Sequence, residues 1–322
     1  MVFYIELARG RAVEWAPCEF KQKLRNLTFQ IQFSLFKIPY FVPQLLMTYA
    51  LSTQYPKRRA FITGAASGLG KALSTELAKD GWTLGIADIN EEQLAIAGDE
   101  FEVLGAKTLR FHLDVSDRVH YQHVANDFLN SAGGIDVLFN NAGVGDGGLF
   151  EEYSLDNWEW MTRVNQFSVI YGCHYFIPTF KKQKSGHILN TASFAAISCA
   201  PTMGAYNMTK AAVVAISETL YGELMDFNVR VSCIQPSYFK TNIAQGARGG
   251  DTVKKTTQFF VDKSRLEAST VATEILHRAG KGELYIILPK LARKAWLWKR
   301  LAPTRFRKMV KEGFAAAARR VR

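Results

Sequence analysis

Tyr206 and Lys210 stand four residues apart in the stretch "SFAAISCAPTMGAYNMTK", and Ser193 opens it, thirteen residues before the tyrosine. On one helix, positions i and i+4 share a face. A phenol with an ordinary pKa of about 10 is a poor base at neutral pH. A neighbouring ammonium favours the phenolate and brings it toward the working range, and a serine hydroxyl beside it can hold a substrate oxygen. The chemistry open to this trio is proton transfer to and from an alcohol or carbonyl oxygen.

The elements that must position the trio follow from the pattern after Arg59. Short β-rich runs are expected at 60–63, 83–88, 108–115, 136–142, 186–193, 230–236 and 284–289. Helical stretches lie between them at Glu91–Leu104, Arg118–Ser131, Leu155–Lys181, Gly204–Phe227 and Leu266–Arg278, with Asn90 and Asp117 placed as N-caps. Strands apolar on both faces, alternating with helices, describe a parallel sheet covered on both sides. The expected fold is α/β, a doubly wound Rossmann-type sheet of about seven strands. Ligands of such a sheet bind beyond the carboxyl ends of its strands, so the residues after each strand are the ones to inspect.

After the first strand comes "TGAASGLG", Thr63 to Gly70. Gly64, Gly68 and Gly70 give G-x-x-x-G-x-G rather than the common G-x-G-x-x-G. Unblocked backbone N–H groups and a helix N-terminus favour a pyrophosphate there. Close helix-to-sheet packing also needs glycine. Asp88 ends the second strand, where a carboxylate accepts hydrogen bonds from the adenosine ribose of NAD and repels the 2′-phosphate of NADP. No Arg or Lys compensates: Ser67 precedes Gly68, and "DIN" follows the strand. NAD is expected over NADP, and the plainer reading of Asp88 is an exposed helix cap.

Taken together, "TGAASGLG", "NNAG" (Asn140 to Gly143), Asn165 in "MTRVNQFS", Ser193, "YNMTK" (Tyr206 to Lys210), and Pro236 with Thr241 in "PSYFKT" resemble the short-chain dehydrogenase/reductase family of the common type, over residues 57–290. The resemblance implies an NAD(P)-dependent oxidoreductase acting on CH–OH. In it Tyr206 is the general acid/base, and Lys210 lowers its pKa and holds the nicotinamide ribose. Ser193 binds the substrate oxygen, while Asn165 fixes a helix kink and a proton-relay water. The implied cofactor residues are Gly64, Ser67, Gly68, Leu69, Gly70, Asp88, Ile89, Asp114, Val115, Asn141, Ala142, Gly143, Tyr206, Lys210, Pro236 and Thr241. A homodimer or homotetramer is implied through the helices at 155–181 and 204–227. The sequence departs from the family's usual Pro-Gly after the sixth strand, carrying Ser237; if that position needs φ > 0, serine costs about 1 kcal/mol. The four intact site residues argue against the alternative, a nucleotide-binding sensor or scaffold without turnover.

Substrate choice is expected from a lid at 242–263 and from the mostly apolar "FAAISCAPTMG". These suit a hydrophobic alcohol or carbonyl compound, such as a long-chain aldehyde or a retinoid-like or steroid-like molecule, over a small polyol. The composition, 48% apolar and 21% charged, excludes disorder. The net charge of +11 resides in the tail: twelve Lys or Arg and one acid follow Pro289, whereas the residues before Lys290 hold 28 of each sign. With no nucleic-acid module beside this charge, the tail at 291–322 reads as a basic amphipathic helix for peripheral contact with an anionic membrane, or as a helix packed on a partner subunit. Leu291, Ala295, Trp298 and Ala302, broadened by Leu297 and Leu301 and continued by Phe306, Met309, Val310 and Phe314, form the expected apolar face. The four cysteines lack metal or disulfide spacing and read as reduced thiols, so no metal site is expected. Residues 1–56 form an extension that is an interfacial segment or lies upstream of a start at Met47. Its apolar run is broken by Lys37, Pro39 and Pro43, short of a spanning helix, and no secretory signal is recognised. The expected setting is cytoplasmic, at most on a membrane surface.

Overall fold

Side chains alternate faces along β1 (Arg59–Thr63), so Ala60 and Ile62 enter one core while Phe61 enters another, all three fully buried. A strand buried on both sides needs helices on both sides. The computed structural model, which describes residues 49–241, 248 and 251–321, supplies them. Among these residues seven strands form one parallel sheet in the order β3-β2-β1-β4-β5-β6-β7. The remaining strands are β2 (Thr83–Asp88), β3 (Lys107–His112), β4 (Val137–Asn140), β5 (Gly186–Thr191), β6 (Val229–Pro236) and β7 (Tyr285–Leu288).

One core packs beneath α1 (Tyr49–Gln54), α2 (Gly68–Lys79), α3 (Glu91–Val103) and α10 (Ala268–Gly280), with Leu51, Leu73, Phe101 and Ile275 buried. The other lies beneath α4 (Arg118–Ala132), α6 (Ser168–Gln183) and α8 (Gly204–Leu224), around Phe128, Phe176 and Val213. The expected N-caps form: Asn90 accepts from the Gln93 N–H, and Asp117 from those of Val119 and His120.

Strand ends differ from the sequence reading by a residue or two, and two of the differences matter. Asp114 and Val115 lie beyond β3, and Ser193 lies two residues beyond β5. The helix expected at 155–181 is interrupted: α5 (Leu155–Thr162) passes through a π turn at Arg163–Phe167 before α6 begins. Asn165 sits in that turn.

Two boundaries need correction. The body of the domain does not start at 57, because Leu51 and Tyr55 are buried in the core, the Tyr55 hydroxyl donates to the Gly186 carbonyl, and the Trp82 indole donates to Ser52. Nor is 291–322 a separate tail. The helices α11 (Lys290–Leu301) and α12 (Pro303–Val321) bury Ala292 and Phe306 against Ile197 and Ile287. The single apolar face expected there is divided: Ala295, Phe306 and Val310 join that cluster, while Leu291, Leu297, Trp298 and Leu301 are exposed. Residues 1–48, with Met47, and the lid residues 242–247, 249 and 250 lie outside the described residues. The remaining residues of the segment expected as a lid form α9 (Asp251–Lys263), which packs on α12.

Candidate active site

Neighbouring strands β1 and β4 lead to helices that cover opposite faces of the sheet, and a crevice opens where their chains part. Thr63 closes the bottom of it. Its hydroxyl accepts the N–H groups of Asn141 and Ala142, both at 3.0 Å. The Asn141 side-chain amide donates back to the Thr63 carbonyl at 3.0 Å. The first glycine turn is thereby held against "NNAG".

Gly64 and Gly68 have φ of 66° and 51°, a region that favours glycine. Gly70 is required for a different reason: a Cβ there would lie 2.0 Å from the Gly64 carbonyl oxygen and 2.7 Å from Asn141 Nδ2. The first turn of α2 therefore sits directly on the loop, with free backbone N–H groups at its start. A loop that side chains would fill, at a helix N-terminus, fits a pyrophosphate. Asp88 stands beside it with one carboxylate oxygen accepting the Ala66 N–H at 3.0 Å and the other the Asn90 N–H at 3.1 Å. These two bonds leave the carboxylate further acceptor capacity.

Across the crevice, Asn165 is fully buried and holds Val144 by both backbone groups, accepting its N–H at 2.8 Å and donating to its carbonyl at 2.9 Å. Lys210 reaches back from α8 to donate to the Thr191 carbonyl at 2.8 Å, and its Nζ lies 5.8 Å from the Tyr206 ring centroid. A Cβ on Gly143 would meet Lys210 Nζ at 3.2 Å, so the backbone of "NNAG" and the ammonium share one wall. Burial pushes the Lys210 ammonium down to about 8. Burial also raises the Tyr206 phenol above its ordinary value, with the Ser193 hydroxyl acting in the opposite direction. The Ser193 hydroxyl in turn accepts the Ala195 N–H at 3.1 Å, at the start of the short helix α7 (Ala195–Ser198).

These groups line one cavity of about 440 Å³. Gly64, Ser67, Gly68, Leu69, Ile89, Asn141, Ala142, Gly143, Ser193, Tyr206, Lys210, Pro236 and Thr241 all border it. Asn165 and Gly70 support it from behind, whereas Asp88, Asp114 and Val115 do not line it. Asp114 instead binds the N–H and hydroxyl of Ser116, closing its own turn. Ser237 departs from the family pattern without strain, since it is absent from the residues with positive φ, and its N–H donates to the Leu288 carbonyl at 2.8 Å. The sequence reading missed Tyr238, Phe239, Thr257 and Val261 as lining residues. Tyr238 and Phe239 were hinted at only by their apolar character within "PSYFKT", while Thr257 and Val261 fall within the segment 242–263 from which substrate choice was expected.

The model of the short chain dehydrogenase family matches residues 58–251. This chain belongs to that family. A 2,5-dichloro-2,5-cyclohexadiene-1,4-diol dehydrogenase, LinX of Sphingobium indicum, is 34% identical over 63% of this chain and 82% of its own length. A short chain dehydrogenase/reductase from Burkholderia phymatum, solved in complex with NAD, superposes with a TM-score of 0.70 at 34% identity, covering 74% of this chain and 91% of that one. An alcohol dehydrogenase from the archaeon Thermococcus sibiricus, solved with 5-hydroxy-NADP, gives a TM-score of 0.62 at 26% identity over 72% of this chain and 95% of its own. The protein is accordingly an oxidoreductase that interconverts hydroxyl and carbonyl groups with a nicotinamide cofactor.

Gly70→Ala drives a methyl group into backbone, so it is expected to lower stability by about 1–3 kcal/mol and to weaken NADH binding. Denaturant unfolding and quenching of intrinsic fluorescence by NADH measure the two. An alanine variant that binds NADH like the parent would show that the loop does not hold the dinucleotide.

Proposed function

We propose that the protein is a dehydrogenase or carbonyl reductase for a hydrophobic alcohol or ketone, with Tyr206 as the acid/base and NAD as the preferred cofactor. The observation that carries this reading is that Ser193, Tyr206 and Lys210, the last two on one helix, all border one mostly apolar cavity over the glycine turn.

Gly64, Gly68 and the start of α2 would hold the pyrophosphate, with Ser67, Leu69, Asn141, Ala142, Gly143, Pro236 and Thr241 around the rest of the dinucleotide. Bound there, the nicotinamide supplies the hydride acceptor or donor. Tyr206 takes the alcohol proton in oxidation and returns it in reduction, and Ser193 steadies the substrate oxygen. Lys210 feeds and drains the proton at Tyr206 while Asn165 keeps the Val144 backbone and the nearby wall in place. Asp88 favours NAD because its fixed carboxylate, already held by two backbone donors, is unsuited to a 2′-phosphate. Val144, Phe194, Met203, Phe239 and Val261 supply apolar surface, and no acid lines the cavity among the described residues, which supports a hydrophobic substrate over a polyol. Exposed Met208 and Tyr221 on α8 support pairing of two copies through that helix.

Tyr206→Phe keeps the ring and removes the proton donor, so kcat should fall by about 10²–10⁴-fold in a coupled assay of NAD reduction, with NADH affinity retained. A variant near the parent rate would remove Tyr206 from the chemistry.

The pH profile offers a separate check. Oxidation needs the phenol deprotonated, so kcat/KM falls as pH drops through its apparent pKa. Ser193 holds that pKa down, and Ser193→Ala should therefore move this limb to higher pH. An unmoved limb would mean that Ser193 does not act on Tyr206.

A further inference from the structure

The C-terminal helices carry two apolar faces rather than one. The inward face is fixed to the body through Ala292, Phe306 and their neighbours. It is also clamped by cations: Lys299 donates to the Ala196 carbonyl at 3.1 Å, and Arg307 donates to the Ile197 and Ser198 carbonyls at 2.8 and 2.6 Å. With α11 anchored in this way, it cannot roll to bury its other side chains on the domain. The outward face presents Leu291, 73% exposed, Leu301, 85% exposed, Leu297, 48% exposed, and the exposed part of Trp298, whose ring otherwise packs edge-on against Phe306 at 5.8 Å. At 100° per residue these four fall within an arc of roughly 120°, with Lys290 and Lys294 at positions inside it and Arg293 about 40° beyond its edge.

We propose that this outward stripe docks the protein on an anionic lipid surface. The charge selects the partner: twelve cations and one acid lie between Lys290 and Arg322, against a neutral remainder, and of the twelve Lys299 and Arg307 are turned to the body. A leucine and tryptophan stripe bordered by lysine and arginine matches the boundary between acyl chains and acidic headgroups, where apolar burial and charge attraction act together. Docking has a structural consequence for the cavity. The helix α9 rests on α12 and carries Thr257 and Val261 into the cavity lining, so the arm that docks is packed against a helix that lines the apolar pocket. The proposal does not depend on the chemistry assigned to Tyr206, and its test does not use turnover.

The test is sedimentation of the full-length chain with vesicles of phosphatidylcholine alone or mixed with phosphatidylserine, over a range of lipid and salt. The parent should bind the anionic vesicles preferentially and release as salt rises. The double variant Leu291→Ser, Leu301→Ser removes two exposed side chains that touch neither the cavity nor the core, so its thermal unfolding should match the parent. Its partition onto anionic vesicles should fall about tenfold or more. Equal binding of the parent to both vesicle types, or unchanged binding by the double variant, would overturn the proposal. So would a double variant that binds vesicles normally but shows a smaller assembly by sedimentation equilibrium, which would make the stripe a contact between copies of this chain.

Discussion

The Thr63 hydroxyl, accepting two backbone N–H groups at the start of "NNAG", is the contact on which the arrangement of the crevice depends. A parallel sheet leaves its strand ends without ladder partners, and at the junction of β1 and β4 the following segments turn to opposite faces. Something must satisfy the exposed donors there without filling the space a ligand needs. Thr63 and Asn141 do so with side chains folded back on the sheet. The glycine turn on one side and the Asn165-held Val144 segment on the other can then stand apart with a cavity between them.

That cavity is mostly apolar in its lining, and burial sets the electrostatics around it. Burial disfavours the charged form of both Lys210 and Tyr206, in opposite pKa directions. For Lys210 this brings the proton equilibrium toward neutral pH, whereas for Tyr206 it moves the equilibrium away and has to be opposed. The Ser193 hydroxyl acts against burial at the phenol, and the Thr191 carbonyl fixes the lysine. The wall that carries Ser193 is itself braced from outside, because Arg307 and Lys299 bind the carbonyls of Ala196, Ile197 and Ser198. The C-terminal arm is thus coupled to the active-site wall through three carbonyls and to the cavity lining through α9.

Much of this was legible in the sequence because strand periodicity and strand-end chemistry are local. The seven strands, the Asn90 and Asp117 caps, and the convergence of Gly64, Ser193, Tyr206 and Lys210 follow from spacing and topology alone. Features that depend on long-range packing were not legible. Nothing local distinguishes Leu51 and Tyr55 as core residues, since their partners Trp82 and Gly186 come from elsewhere in the chain. The single apolar face read on the C-terminal helices proved to be two, because hydrophobic spacing reports amphipathicity but not which side meets the domain. Asp88 was read as a ribose ligand. The structure adds a second task, holding the backbone of the turn, that a motif could not reveal.

The central claim is direct hydride transfer from a hydrophobic alcohol to NAD under the control of Tyr206. Its most direct measurement is incubation of the protein with NAD and a hydrophobic secondary alcohol deuterated at the carbinol carbon, followed by mass analysis of the recovered cofactor. Deuterium should appear in the reduced nicotinamide, and a carbonyl product should form in equal amount. Reduced cofactor without label, or no turnover across a series of hydrophobic alcohols and ketones with either NAD or NADP, would contradict it.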